Sequence, residues 1–167
     1  MIKKLSREFF TLDVLTVAPE LLGKILVCRV GEEFLRYRIT ETEAYRGVED
    51  FAFHACKGRT PRTESMFHTG GVIYVYLIYG MYWMLNIVTG QENDPQAVLI
   101  RGLEGLYGPG RLTRKLRIDK SFYDEDLTVS ARIWIEDHGL KPDIIQVNEL
   151  GLIMPGNGKI NRGGFFY

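Results

Sequence analysis

Val72-Ile-Tyr-Val-Tyr-Leu-Ile-Tyr-Gly-Met-Tyr-Trp-Met-Leu-Asn-Ile-Val88 is the stretch on which the fold turns. Two runs rich in β-branched and aromatic residues, 72–79 and 82–88, flank Gly80-Met81, and neither contains a charge or a proline. That pattern reads as the two strands of a β-hairpin. Tyr74, Tyr76, Tyr79, Tyr82 and Trp83 give it an aromatic density that suits a packed core and equally suits stacking on planar rings. Tyr79 and Met81 flank Gly80 at the tip, where a side chain stands in solvent and can act as a wedge. Asn86 is a polar amide in an apolar strand, and a three-residue loop over 80–82 would set it opposite Tyr76.

Outward from this hairpin the chain keeps reading as sheet. Residues 97–102 form an apolar strand that closes on Arg101, and residues 24–30 and 34–45 make a second hairpin across Gly31-Glu32-Glu33. Alternation along 34–45 places Leu35, Tyr37, Ile39, Glu41, Glu43 and Tyr45 on one face, so a face that begins apolar ends acidic. A carboxylate there costs desolvation unless it is paired or used, and a guanidinium in an apolar strand raises the same question. Glu43 with Arg101 fits a functional pair and fits a structural salt bridge; a solvent-exposed strand end also accounts for the acids. Residues 16–22, closed by Gly23, read as a helix capped by Thr16 with Pro19 in its first turn. Gly108-Pro-Gly110 precedes a basic helix over 111–118, and 132–136 reads as one more strand. The expected fold is α+β: a single domain over 1–167, with a curved, mainly antiparallel sheet or partly open barrel, flanking helices and a protruding β-hairpin.

Composition narrows the function. With 21 Lys and Arg against 21 Asp and Glu in 167 residues, the chain lacks a global basic signature, so any nucleic-acid footprint must be local. Lys57, Arg59 and Arg62 cluster in the long polar connection 46–71, and Arg111, Arg114, Lys115, Arg117 and Lys120 follow the Gly-Pro-Gly break. These are either solvated faces or phosphate contacts on both sides of the aromatic hairpin. Cys28 and Cys56 stand alone, without a CxxC, and His54, Cys56 and His68 match no zinc spacing, so neither a metal nor a disulfide framework is expected. No apolar run is long enough for a membrane span, and the expected setting is the cytoplasm. Glu41 and Glu43, roughly 6.6 Å apart by backbone rise, raise a two-carboxylate sugar glycosidase, but both acids would lie on the same side of the scissile bond.

Glu41-Thr-Glu-Ala-Tyr45, Gly58-Arg-Thr-Pro-Arg62, and Tyr74-Val-Tyr-Leu-Ile-Tyr-Gly-Met-Tyr82 with Asn86 occur in this order, followed by Gly108-Pro-Gly-Arg-Leu112 and Asp119-Lys-Ser-Phe122. In these motifs the sequence resembles the alkyladenine (3-methyladenine) DNA glycosylases of the animal and bacterial type, over about residues 21–127. The resemblance implies a monofunctional base-excision repair enzyme that flips an alkylated or deaminated purine from double-stranded DNA and hydrolyses its glycosidic bond. It implies Glu43 as the general base and Arg101 as its catalytic partner, Tyr45, His54 and Tyr76 as walls of the base pocket, and Asn86 as the filter against guanine. It makes Tyr79 the intercalating wedge, with Met81, Arg59, Arg62, Arg111 and Lys120 beside it on the DNA. No lysine stands at a motif position, so water is the implied nucleophile, without lyase activity and without a cofactor. The expected protein is a monomer, nucleoid-associated in a bacterial cytoplasm.

Overall fold

Fourteen residues long, Glu33–Arg46 (β3) is the strand that joins the two halves of the sheet in the computed structural model, which describes residues 2–47 and 54–146 and the backbone of 151–153. The other strands are Lys3–Lys4 (β1), Ile25–Val30 (β2), Ile73–Ile78 (β4), Tyr82–Thr89 (β5), Gln96–Leu103 (β6), Leu106–Tyr107 (β7), Ile133–Asp137 (β8), Ile145–Gln146 (β9) and Gly151–Ile153 (β10). The main path runs β1-β8-β2-β3-β6-β5-β4, and every pairing is antiparallel. Both ends of this path stay open, so the sheet is not closed into a barrel. Among the described residues three α-helices, Arg7–Phe10 (α1), Val14–Leu21 (α2) and Pro109–Lys115 (α3), complete a single α+β domain.

Short connections explain the pairing. β2 and β3 meet through a two-residue turn, with Val30 opposite Glu33, and Gly31 in the turn has φ +63°. β4 and β5 form the expected hairpin with its loop shifted by one residue: Ile78 pairs with Tyr82, so 79–81 make the turn and Asn86 lies opposite Tyr74 rather than Tyr76. Tyr79 (φ 52°) and Gly80 (φ +66°) are both left-handed, and the freedom of glycine supplies only one of the two. The Tyr79 backbone is therefore held in a conformation that a tyrosine seldom adopts.

The alternation expected for 34–45 is interrupted. Ile39 pairs with Leu103, Glu41 with Gly102 and Thr42 with Ile100, so β3 and then β6 each take up an extra residue. Ile39 and Leu103 before the irregularity, and Ala44, Val98 and Ile100 after it, all join one core cluster. Leu35, Tyr37 and Ile39 thus do not share a face with Glu41, Glu43 and Tyr45, because the irregularity hands the core to the other parity of residues. Thr42 turns toward α2, where its hydroxyl donates to the Ala18 carbonyl at 3.0 Å.

Helix ends also differ from expectation. α2 starts at Val14 because the Asp13 carboxylate accepts from the Leu15 N–H, which leaves Thr16 inside the helix and Pro19 beyond its first turn. α3 begins at Pro109, two residues before the expected 111, and ends at Lys115; the Thr113 hydroxyl ties it to the Trp83 carbonyl of β5 at 2.8 Å. The strand expected over 132–136 is β8. Among the described residues no helix is long and apolar enough to cross a membrane.

Candidate active site

Glu43 is 3% exposed, yet it lines a cleft of about 400 Å³, a volume within the usual range for small-molecule pockets. Both its oxygens are bonded: the Tyr45 hydroxyl donates to Oε1 at 2.6 Å and Arg101 Nη1 donates to Oε2 at 2.6 Å. Each carboxylate oxygen carries two lone pairs, so this cage orients the group and still leaves it able to accept. Burial, followed by the Glu43 charge, raises the Tyr45 pKa, so this hydroxyl keeps its proton as a donor. For Arg101 burial opposes the charge, but Glu43 and Glu41 overcome it and hold the guanidinium above its ordinary value. Its Nε donates to Glu41 Oε1 at 3.1 Å. Of the alternatives open in the sequence, the exposed strand end is therefore excluded for Glu43, which forms a part-buried ion pair with Arg101 that opens onto a cleft.

The sheet sets this arrangement. Tyr74 pairs with Asn86, Asn86 with Leu99, and Leu99 with Glu43, a single row across four strands. Tyr76 and Met84 pair one step nearer the hairpin tip. Asn86 is buried, and its amide donates to the carbonyls of Tyr74 and Met84 at 3.3 and 3.4 Å. β6 hydrogen-bonds one edge of the Glu41–Glu43 segment, and on its other edge Gly151 pairs with Glu43 and Ile153 with Glu41. The backbone that carries both acids is fixed on both edges.

Aromatic rings form the wall. His54 and Tyr76 centroids are 4.4 Å apart, edge to face, and His54 Nδ1 lies 2.9 Å from the Tyr74 hydroxyl. Burial pushes the Tyr74 pKa up to about 12, and Arg62 pulls the other way. Burial, then Arg62 and Lys57, lower the His54 pKa, which favours the neutral ring. Tyr45 and Tyr76 line the cleft beside Met84 and Leu99, Tyr79 and Tyr82 border it at the hairpin, and Tyr107, Pro109 and Arg111 make the far side. Tyr79 and Met81 are 62% and 60% exposed, as a wedge requires.

The basic residues separate. Arg62, Arg111 and Lys120 are exposed. Arg59 is exposed too, but its guanidinium is engaged by neighbours at the surface: it donates to Asn93 Oδ1 at 3.0 Å, pairs with Glu64 at 3.3 Å and lies over the Phe67 ring. The structure thus gives Arg59 a role in holding the loop over 54–67. Sequence reasoning missed Met84 and Leu99 in the cleft, because an apolar residue in an apolar strand carries no signal of its own, and it missed Tyr107 and Pro109, which the turn into α3 brings there. It also missed Gly102, whose place beside Arg101 was the available clue. Among the described residues no group of His, Cys, Asp and Glu can hold a metal ion.

A family model described as methylpurine-DNA glycosylase (MPG) matches residues 8–107, which include the Glu43–Tyr45–Arg101 constellation and both strands of the aromatic hairpin. The chain belongs to the methylpurine-DNA glycosylase family. Relatives provisionally named 3-methyladenine DNA glycosylase are similar over most of their length. One from Wolbachia pipientis subsp. Culex pipiens is 46% identical, covering 89% of this chain and 82% of its own. Another from Psychrobacter cryohalolentis is 40% identical over 91% of this chain and 86% of its own, and one from Borrelia garinii subsp. bavariensis is 39% identical over 98% and 95%. The last alignment carries the similarity past residue 127, where the sequence motifs end, into the segment that contributes β9 and β10. Membership in the methylpurine-DNA glycosylase family accounts for what charge balance left open, a nucleic-acid role in a chain of zero net charge.

Proposed function

We propose that the protein is a monofunctional DNA glycosylase of base-excision repair, which flips an alkylated or deaminated purine out of double-stranded DNA and hydrolyses its bond to deoxyribose. The observation that carries this reading is Glu43, buried and caged by Tyr45 and Arg101 where it meets an aromatic cleft. Glu43 takes a proton from water as the water oxygen bonds to C1′; the bond from C1′ to the purine nitrogen breaks, and its electron pair leaves with the base. A purine methylated at N3 or N7 is cationic, so it departs neutral and needs no acid. Hypoxanthine and ethenoadenine, as neutral bases, need a proton at N7.

Selection begins with flipping, which costs a few kcal/mol and least at a damaged or mispaired base. Tyr79, with Met81 beside it, fills the gap left in the duplex. Tyr45, His54 and Tyr76 then stack on the base, and a cationic base gains roughly 0.5 to 2 kcal/mol per favourable aromatic face. Asn86 shares the row of Glu43, where its amide crowds the 2-amino group of guanine and 7-methylguanine is held only through its charge. Arg62, Arg111 and Lys120 contact phosphates. Water is the nucleophile, since no lysine lines the described cleft, and the enzyme acts without a cofactor, as a monomer on the bacterial nucleoid.

Duplexes carrying one 7-methylguanine, one 3-methyladenine or one hypoxanthine test this reading. Release of the free base, with an intact strand that breaks only under alkali and no borohydride-trapped adduct, is the expected result. Binding without release would make the protein a lesion binder, and preference for single strands would make it a different nucleic-acid module.

A further inference from the structure

Arg101 meets two carboxylates, and the family reaction described above uses only one of them. Glu41 Oε1 accepts from Nε at 3.1 Å while Glu43 Oε2 accepts from Nη1 at 2.6 Å, so two different edges of one planar guanidinium are occupied. Two strands are deformed to permit this. The register shifts on either side of Glu41 bring it opposite Gly102, and a Cβ at 102 would stand 3.0 Å from the Glu41 Cβ and 3.1 Å from the Thr40 Oγ1. Glu41 is not hidden for packing, since its side chain remains 29% exposed.

We propose that Glu41 is a positioning residue that acts through Arg101: it takes the Nε edge, which aims Nη1 at Glu43, and its charge offsets the one Arg101 imposes on the base. The inference rests on the glycosylase reading. A carboxylate that faces a guanidinium alone loses proton affinity, and a base in that state is a weak one. With Glu41 present the three groups carry a net charge of −1, which also favours the positive charge that develops on the sugar as the glycosidic bond breaks.

The other polar groups around the trio leave this role to Glu41. Tyr45 on β3 and Tyr76 on β4 have raised pKa values and stay neutral, in each case through burial first. Tyr79 and Tyr82 at the hairpin and Tyr107 on β7 line the same cleft, as does the cationic Arg111 of α3. Arg62 acts on Tyr76 from the loop side, and His54 is shifted toward its neutral form. Among the described residues that line the cleft, Glu43 is the sole acid, and Glu41 bonds its partner from the side.

The test is the pH profile of single-turnover release of 7-methylguanine from duplex DNA by the wild type, Glu41→Gln and Glu41→Asp. A cationic leaving group needs no acid, so the acidic limb reports the base alone. Glu41→Gln is expected to move that limb to lower pH and to lower the plateau by about 10-fold, with duplex binding kept. Glu41→Asp, which retains the charge, is expected to leave the limb where the wild type has it. A Gln variant with a fallen plateau but an unmoved limb would overturn the inference and leave the glycosylase reading intact, and so would an Asp variant displaced as far as Gln. Failure of the wild type to release 7-methylguanine, 3-methyladenine and hypoxanthine alike would overturn both.

Discussion

His54 carries a consequence that belongs to one residue. Its pKa is lowered by burial first and by Arg62 and Lys57 after it, whereas unfolding returns the ring to about 6.5. Between the depressed value and about pH 6.5 the unfolded chain binds more protons than the native one, so stability rises with pH across that window. The contribution is complete above about pH 6.5 and is lost as the pH falls toward the folded value. In thermal melts the drop on acidification through this window should be smaller for His54→Gln than for the wild type, and the ring should titrate by NMR below an ordinary histidine. Equal pH dependence in the two proteins would contradict this account of the wall.

At the scale of elements, the paired irregularity in β3 and β6 decides where the acids point. A methyl group at Gly102 is forced against Glu41 and Thr40, at distances that require a shift of a few tenths of an ångström. Gly102→Ala is therefore expected to cost about 1 to 2 kcal/mol of stability by overpacking. It should also lower base release at a pH where the folded fraction is unchanged, because Glu41 is pushed from Arg101. Stability lost with release unaffected would show that the irregularity serves packing alone. This element also marks the limit of sequence reading. The hairpins were legible, since β-branched and aromatic runs broken by Gly31 or Gly80 have one simple solution. The change of core parity at Thr40 was not, because period-2 alternation assumes an unbroken ladder. The loop of the aromatic hairpin was misplaced by one residue for a related reason: Tyr79 adopts a left-handed backbone that its residue type does not announce. Glu43 and Arg101 were singled out by misplaced polarity and Tyr45 and Tyr76 by motif, and the fold brings the four to one cleft, whereas the burial of Glu43 and the second bond of Arg101 needed the fold.

For the whole molecule, 21 basic and 21 acidic residues forbid a global attraction to DNA, so binding depends on where the exposed cations lie. Arg59 is held by Asn93 and Glu64 and Arg114 lies over the Tyr82 ring, while Arg111, Lys120 and Arg62, the last also bonded to Tyr74, are the exposed cations proposed to meet phosphates. Each phosphate contact contributes about −0.9 to the slope of log K against log salt, so three contacts predict a slope near −3 for undamaged duplex. Loss of Arg111 or Lys120 should reduce it by about one, and a flat response would remove these residues from the DNA interface. Turnover itself joins every scale, since it needs the bent strand pair, the caged carboxylate and the bound duplex together. The most direct measurement is single-turnover release of 7-methylguanine and hypoxanthine by the wild type and Glu43→Gln, with duplex affinity measured in parallel. Loss of a positioned base removes about 10²- to 10⁴-fold, so the account predicts release by the wild type, a fall of that size in the variant and unchanged binding. Release by Glu43→Gln at the rate of the wild type would contradict it.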